Sequence, residues 1–150
     1  MTTTRTARAT GRRLIVALLL SLCLVGCAAP GDSSHVVIEI GPSQFFTEPE
    51  IRAAAAAVMA KFKDLKGCEL LRLEYDEAAL IFEVDSGYFP RGAVDYPPAT
   101  TANAIVFQSE YYAGPHSDGS VQPNATHSCT WYLRRSGPGS NWRVVDWGQG

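Results

Sequence analysis

Apolar residues between positions 45 and 66 recur at helical spacing, and they predict the clearest helix of the chain. Thr47 and Glu50 have the spacing of a capping box, in which two side chains satisfy free backbone amides at a helix N-terminus. One face then carries an apolar side chain every three or four residues: Ile51, Ala55, Val58, Phe62 and Leu65. Gly67 favours the end of the helix. The pattern predicts an amphipathic helix between Thr47 and Gly67.

After this helix the apolar period changes to two, which is typical of half-buried strands. In residues 68–75, Leu71, Leu73 and Tyr75 alternate with Arg72 and Glu74. Further strands are predicted at 36–40, 80–84, 104–112, 126–135 and 142–147. Residues 86–103 are rich in proline and glycine and predict a long loop, and such loops are usually functional or mobile. One helix followed by antiparallel strands gives an α+β domain, with the helix on one face of the sheet.

The first 27 residues have the organisation of an export signal. Four arginines precede an apolar run of 12 residues, Leu14 to Val25, which is too short for a membrane span of about 20 residues. The run ends in Leu24-Val25-Gly26-Cys27, which resembles the lipobox of bacterial lipoproteins. The resemblance implies that the sulfur of Cys27 receives a diacylglyceryl group and that residues 1–26 are removed. The alternative is a plain secreted protein with an incidental cysteine.

A lipobox also predicts where the protein works. Residues 1–26 would be the signal peptide, 27–44 the lipidated Cys27 with a flexible tether, and 45–150 a single domain. Two or more acyl chains, palmitate among them, would anchor the protein stably, whereas one chain binds a membrane weakly. We expect a lipid-anchored protein on the extracytoplasmic face of the cell membrane. Arg12-Arg13 loosely resembles a twin-arginine signal, so the Sec and Tat export routes both stay open.

Removal of the signal changes the charge of the chain. Nine basic and fifteen acidic side chains remain after residue 26, so the mature net charge is −6 with neutral histidines. Nucleic acid is therefore a poor partner, because binding to phosphates depends on Lys and Arg. Arg134-Arg135 is interpreted as a solvated strand end.

Two cysteines remain besides Cys27. In an exported domain, Cys68 and Cys129 are candidates for a disulfide, and the alternative is two buried thiols. His116, His127 and Cys129 do not have the spacing of a zinc site. We predict no metal and no cofactor.

Four short motifs carry a resemblance to a known family. They are Phe46-Thr47 with Glu50-Ile51, Gly67-Cys68, Tyr75-Asp76-Glu77, and Trp142 to Gly148. The last resembles the closing strand of NTF2-like, or cystatin-like, domains. Together they are similar to an uncharacterised family of bacterial exported lipoproteins that has no assigned activity. The resemblance implies an N-terminal helix packed on a curved antiparallel sheet, which forms a cone.

A cone would have a pocket, and Tyr75, Asp76, Trp131 and Trp147 are its candidate lining. The alternatives are a solvated strand corner at Asp76 and ordinary core packing of the tryptophans. Our first hypothesis is a non-enzymatic module that binds a small ligand or an envelope protein. The second is a SnoaL-like acid–base enzyme acting on a small apolar substrate. The third is a structural or inhibitory envelope protein. A buried carboxylate or histidine in an open cone would favour the enzyme.

Overall fold

A computed structural model describes residues 28–93, 95–117 and 120–149. The described chain forms five strands and two helices, in the order β1 (Val37–Glu39), α1 (Glu48–Phe62), β2 (Cys68–Tyr75), α2 (Glu77–Ser86), β3 (Ala104–Ala113), β4 (Ala125–Arg134) and β5 (Arg143–Gly148). The α+β class is confirmed. Signal residues 1–26 and the proposed lipid site Cys27 lie outside the described residues.

The sheet is mixed, and the prediction of an antiparallel sheet is wrong at one edge. Its strand order is β1-β2-β3-β4-β5, and it does not close on itself. Strand β1 pairs in parallel with β2, whereas the other three pairings are antiparallel. The reason is the connection: α1 lies between β1 and β2 and returns the chain to the starting end of β1, as parallel pairing requires.

Helix α1 is the predicted helix, and it follows β1. The capping box of Thr47 and Glu50 is present at its start. The buried face of the helix lies against the sheet, where three of the largest side chains, Phe62, Phe107 and Trp131, are fully buried. The ring centroids of Phe62 and Trp131 lie 6.3 Å apart. Burial of such rings is the main source of stability in a domain of this size.

Helix α2 replaces the strand that was predicted at 80–84. The side chain of Asp76 accepts a hydrogen bond of 2.8 Å from the amide of Ala79 and caps the helix N-terminus. Gly87 ends the helix with a φ of 72°, a left-handed conformation that glycine adopts readily. The apolar run of this segment fits a strand equally well. The cap at Asp76 and the left-handed Gly87 therefore favour the helix over the strand. Leu80 is its fully buried anchor.

The segment predicted as a flexible tether is partly docked on the domain. The carbonyl of Ala29 accepts a hydrogen bond of 2.8 Å from Gly67, and Gly31 donates one of 3.1 Å to the carbonyl of Lys63. Asp32 exchanges backbone hydrogen bonds with the start of β2. Gly31 is buried, and a Cβ there would collide with the carbonyl oxygen of Phe62. Residues 29–32 are therefore held against the domain that was predicted to span residues 45–150.

The predicted disulfide between Cys68 and Cys129 is absent, and that prediction is wrong. Cys68 on β2 pairs with Ala113, whereas Cys129 on β4 pairs with Ser109. Strand β3 thus lies between the strands of the two cysteines. Their Cα atoms are therefore at least two strand spacings, or about 9.5 Å, apart, whereas a disulfide spans a Cα separation of up to about 7 Å. Both side chains are buried, and burial raises the pKa of Cys129 to about 11.

Candidate functional site

A cleft of the described chain lies on the sheet face opposite α1. It forms where α2 and the loop after it cover the end of β4, and its volume is about 520 Å³. Apolar and aromatic groups dominate its lining, and Arg91 and Asp95 lie exposed at its rim. The other lining residues are Val84, Gly87, Phe89, Tyr96, Pro97, Pro98, Ala99 and Arg134.

Arg134 is the charged residue in the interior of this cleft. Its side chain is only 2% exposed. The centre of its guanidinium lies 5.5 Å from the ring centroid of Phe89 and 5.3 Å from that of Tyr96. Nη2 donates a hydrogen bond to the carbonyl of Pro97. Nε is buried and has no hydrogen-bond partner among the described residues. The aromatic rings and one carbonyl are therefore its main neighbours.

A buried cation without a carboxylate beside it is unusual, because desolvation of a charge is costly unless an opposite charge compensates for it. Within the described part of the chain, no acidic side chain forms an ion pair with Arg134. Burial lowers its pKa from the usual value for arginine. An anionic group entering the cleft could contact Arg134 and supply the missing opposite charge.

The neighbouring Arg135 is also buried, at 4% exposure, but it has an ion-pair partner. Its Nη1 donates a hydrogen bond of 2.8 Å to Oε1 of Glu50, and its Nε donates one of 3.0 Å to the carbonyl of Ala102. Its guanidinium lies between Phe46 and Trp142, 5.3 Å and 4.5 Å from the ring centroids. The interpretation of Arg134-Arg135 as a solvated strand end is wrong for both residues, because each side chain lies under aromatic rings.

Three residues of the predicted pocket share one row of the sheet. Tyr75 pairs with Phe107, Phe107 with Trp131, and Trp131 with Trp147. The rings of Trp131 and Trp147 stack with their centroids 6.1 Å apart. The row packs under α1, with Tyr75 and Trp131 buried and Trp147 41% exposed. Tyr75 and Trp131 therefore belong to the core, as the alternative interpretation of the aromatic residues expected.

Asp76 does not join that row, because its side chain caps α2. The chain turns there, and the next carboxylate, Glu77, accepts hydrogen bonds of 2.5 Å from Ser43 and 2.9 Å from the hydroxyl of Tyr75. None of the four predicted residues lines either of the two larger cavities. The predicted pocket is therefore not formed by these residues, and the cleft at Arg134 takes its place as the candidate site.

The space beneath α1 is filled by side chains. Phe62, Phe107, Trp131 and Leu133 all have an exposed fraction of 0%. The buried polar residues of the described chain are Asn103, Ser109, Arg134 and Arg135, so the described interior offers no carboxylate or histidine for acid–base chemistry. Among residues 28–93, 95–117 and 120–149, no group of three acidic, histidine or cysteine side chains could hold a metal ion.

The helices of the described segments are too short or too polar to cross a membrane. The sequence matches no protein-family model, and no curated protein or solved structure is similar to it. The candidate site therefore depends on its own geometry. Sequence reasoning had two signals for it, the long loop at 86–103 and the arginine pair at the end of β4, but it did not connect them.

Proposed function

We propose that this protein is a lipid-anchored binding module of the bacterial cell envelope, and that its cleft at Arg134 binds a small ligand with an anionic group and an apolar body. The carrying observation is the buried guanidinium of Arg134, which lines the cleft and has no carboxylate ion-pair partner among the described residues. An aromatic carboxylate has both features that this lining would recognise.

The shape and lining of the cleft support small-molecule binding. Its volume of about 520 Å³ lies within the range of about 300–1,000 Å³ that is common for ligand pockets. Phe89 and Tyr96 would contact the apolar body of a ligand while Arg134 fixes its anionic end. Arg91 at the rim adds a second cation on the path of an entering anion.

Benzoate is a suitable first probe, since it is an anion with one aromatic ring. We expect its titration to shift the side-chain Nε–H resonance of Arg134 and to saturate. Benzamide, which has the same shape and no charge, should bind at least tenfold more weakly, because a hydrogen bond to a charged group contributes about 1.5–3 kcal/mol. Equal binding of the two probes would overturn the proposal.

Two variants make this test specific. Arg134→Met keeps an unbranched side chain of similar length and removes the charge, so benzoate binding should fall at least tenfold. Arg52→Met removes an exposed arginine of α1, which is remote from the cleft, and should leave binding unchanged. If both variants bind benzoate as the natural chain does, Arg134 is not the binding group.

The lipid anchor has a direct chemical test. Residues 27–52 form one tryptic peptide, because no lysine or arginine precedes Arg52 in the mature chain. We expect the mass of this peptide to include a diacylglyceryl group on Cys27. A peptide that begins at Cys27 without added mass, or one that begins elsewhere, would contradict the anchor. The cone shape and the kinship with NTF2-like domains stay predictions.

A weaker candidate function is the acid–base enzyme. The cleft has Asp95 at its rim, but this carboxylate is exposed, and the described interior has no carboxylate or histidine. These observations favour the binding module over the enzyme.

A further inference from the structure

We infer that one end of the domain is a docking surface for anionic phospholipid headgroups, which holds the domain upright on its membrane with the Arg134 cleft facing outward. The inference rests on the proposed lipid anchor at Cys27. Two observations carry it: the position of Ala29 and Gly31, and the position of all the lysines.

Residues 29–31 lie beside the C-terminal end of α1. Ala29 and Gly31 are held there by backbone hydrogen bonds of 2.8 Å to Gly67 and 3.1 Å to Lys63. Cys27 precedes Ala29 by two residues, so the two Cα atoms are at most about 7.6 Å apart. A lipid on Cys27 would therefore insert next to this end of the domain, without a long spacer.

Every lysine of the chain lies at that same end. The 150 residues contain three lysines, Lys61, Lys63 and Lys66, and all of them lie between positions 61 and 66. Lys61 forms an ion pair of 2.9 Å with Asp64 and lies over the ring of Trp147. Lys63 and Lys66 are exposed, and within the described segments no carboxylate forms an ion pair with either.

This placement contrasts with the acidity of the whole mature chain, which has a net charge of −6. An acidic domain is repelled by an anionic membrane, so its orientation depends on where its cations lie. Asp32 and Glu69 flank the lysines, and the side chain of Asp32 accepts a hydrogen bond from Ser34. The two unpaired lysines beside the anchor are therefore the groups best placed to contact headgroup phosphates.

The same geometry directs the cleft away from the membrane. Cys68 at the anchor end of the sheet pairs with Ala113, the last residue of β3. Arg134 pairs with Ala104, the first residue of that strand. Nine residues of strand separate these positions, about 30 Å, which is more than three Debye lengths at physiological ionic strength. A ligand would reach the cleft from the side facing away from the lipid.

The test measures orientation in the lipidated protein. A fluorophore is placed on His116→Cys, in the loop whose Gly114 donates a hydrogen bond to Gly67, or on Ser140→Cys, in the exposed turn at the far end. The native Cys68 and Cys129 are buried and should not react. The protein is reconstituted in vesicles of phosphatidylcholine with 30% phosphatidylglycerol that carry a quencher on their headgroups. We expect at least threefold stronger quenching at position 116 than at position 140.

The matched variants change two charges each. Lys63→Gln/Lys66→Gln should lower the ratio of docked to undocked domain about 25-fold, since each lysine near an anionic surface contributes about a fivefold change. Arg52→Gln/Arg143→Gln removes two exposed cations elsewhere and should retain the wild-type difference between positions 116 and 140. In vesicles of pure phosphatidylcholine, that difference should also shrink.

Equal quenching at positions 116 and 140 in protein that remains on the vesicles would overturn the docking surface and leave the anchor standing. An equal loss of orientation in both double variants would also overturn it, because general charge would then explain the effect. Protein that is absent from the vesicle fraction would overturn the anchor, and the docking surface with it.

Discussion

Arg134 and Arg135 are adjacent in the chain and equally buried, yet their environments differ in the group that balances the charge. Successive side chains at the end of a strand point to opposite faces of the sheet. Arg135 lies on the α1 side, where Glu50 receives its hydrogen bond of 2.8 Å. Arg134 lies on the α2 side, where aromatic rings and the carbonyl of Pro97 are its neighbours.

The difference indicates two roles for the same residue type. Arg135 joins the start of α1 to the segment before β3, because it contacts both Glu50 and the carbonyl of Ala102. It is a structural residue whose ion pair is complete. Arg134 lines a cleft, and it has a desolvated charge and a buried Nε that has no hydrogen-bond partner among the described residues. A group of this kind costs stability in the empty domain and is available to a ligand, as is common at binding sites.

Replacement of each arginine by methionine tests this comparison most strongly. We expect Arg135→Met to lower the free energy of unfolding by about 2–3 kcal/mol, because it breaks an ion pair whose arginine is buried and leaves the Ala102 carbonyl without its donor. Arg134→Met should change it by less than about 1 kcal/mol, because no carboxylate loses a partner and a desolvated charge disappears. Urea denaturation of both variants measures the two values.

The order of the two variants decides the comparison. If Arg134→Met destabilises the domain as much as Arg135→Met does, Arg134 is a second structural residue and its unused donor has no special meaning. A circular dichroism spectrum of each variant in the absence of urea checks that the comparison is made between folded proteins.

Protonation of Glu50, the ion-pair partner of Arg135, should lower the stability of the fold by less than Arg135→Met does. Hydrogen bonds from Thr47 and Arg135 lower the pKa of Glu50 from 4.5 to about 2. A lowered pKa stabilises the fold above the usual pKa, and that contribution is lost as the pH falls from about 4.5 to 2. Glu50 is partly exposed, so we expect a loss below about 1 kcal/mol over this interval, measured as the urea midpoint against pH.

Glu50→Gln should remove this part of the pH dependence. Glu48→Gln is the matched control, since Glu48 lies in the same turn and its ion pair with Arg52 is exposed. An unchanged slope in Glu50→Gln would show that the carboxylate of Glu50 does not stabilise the fold through Arg135.

Local signals predicted several elements well. The capping box of Thr47 and Glu50, the apolar spacing after it and the alternation in residues 68–75 identified α1 and β2, because these patterns act over a few residues. Residues 80–84 were ambiguous by the same logic, since a short apolar run fits a helix or a strand. The hydrogen bond from Ala79 to Asp76 and the left-handed Gly87 resolved that ambiguity.

The candidate site depended on contacts between distant parts of the chain. The cleft brings the loop after α2, at Phe89 and Tyr96, onto Arg134 of β4, and no local pattern states that pairing. The separation of Cys68 from Cys129 could not be predicted from local sequence either, because it follows from the position of β3 between their strands.

The sequence by itself determined the α+β class, the start of α1, the long loop and the concentration of every lysine between positions 61 and 66. These features are local, so residue spacing and composition suffice to read them. The tertiary structure decided the parallel edge strand, the docking of residues 29–32 on the domain, and the unequal burial environments of Arg134 and Arg135. Each of these depends on which distant group satisfies a buried hydrogen bond or charge, and that partner is chosen only when the chain packs.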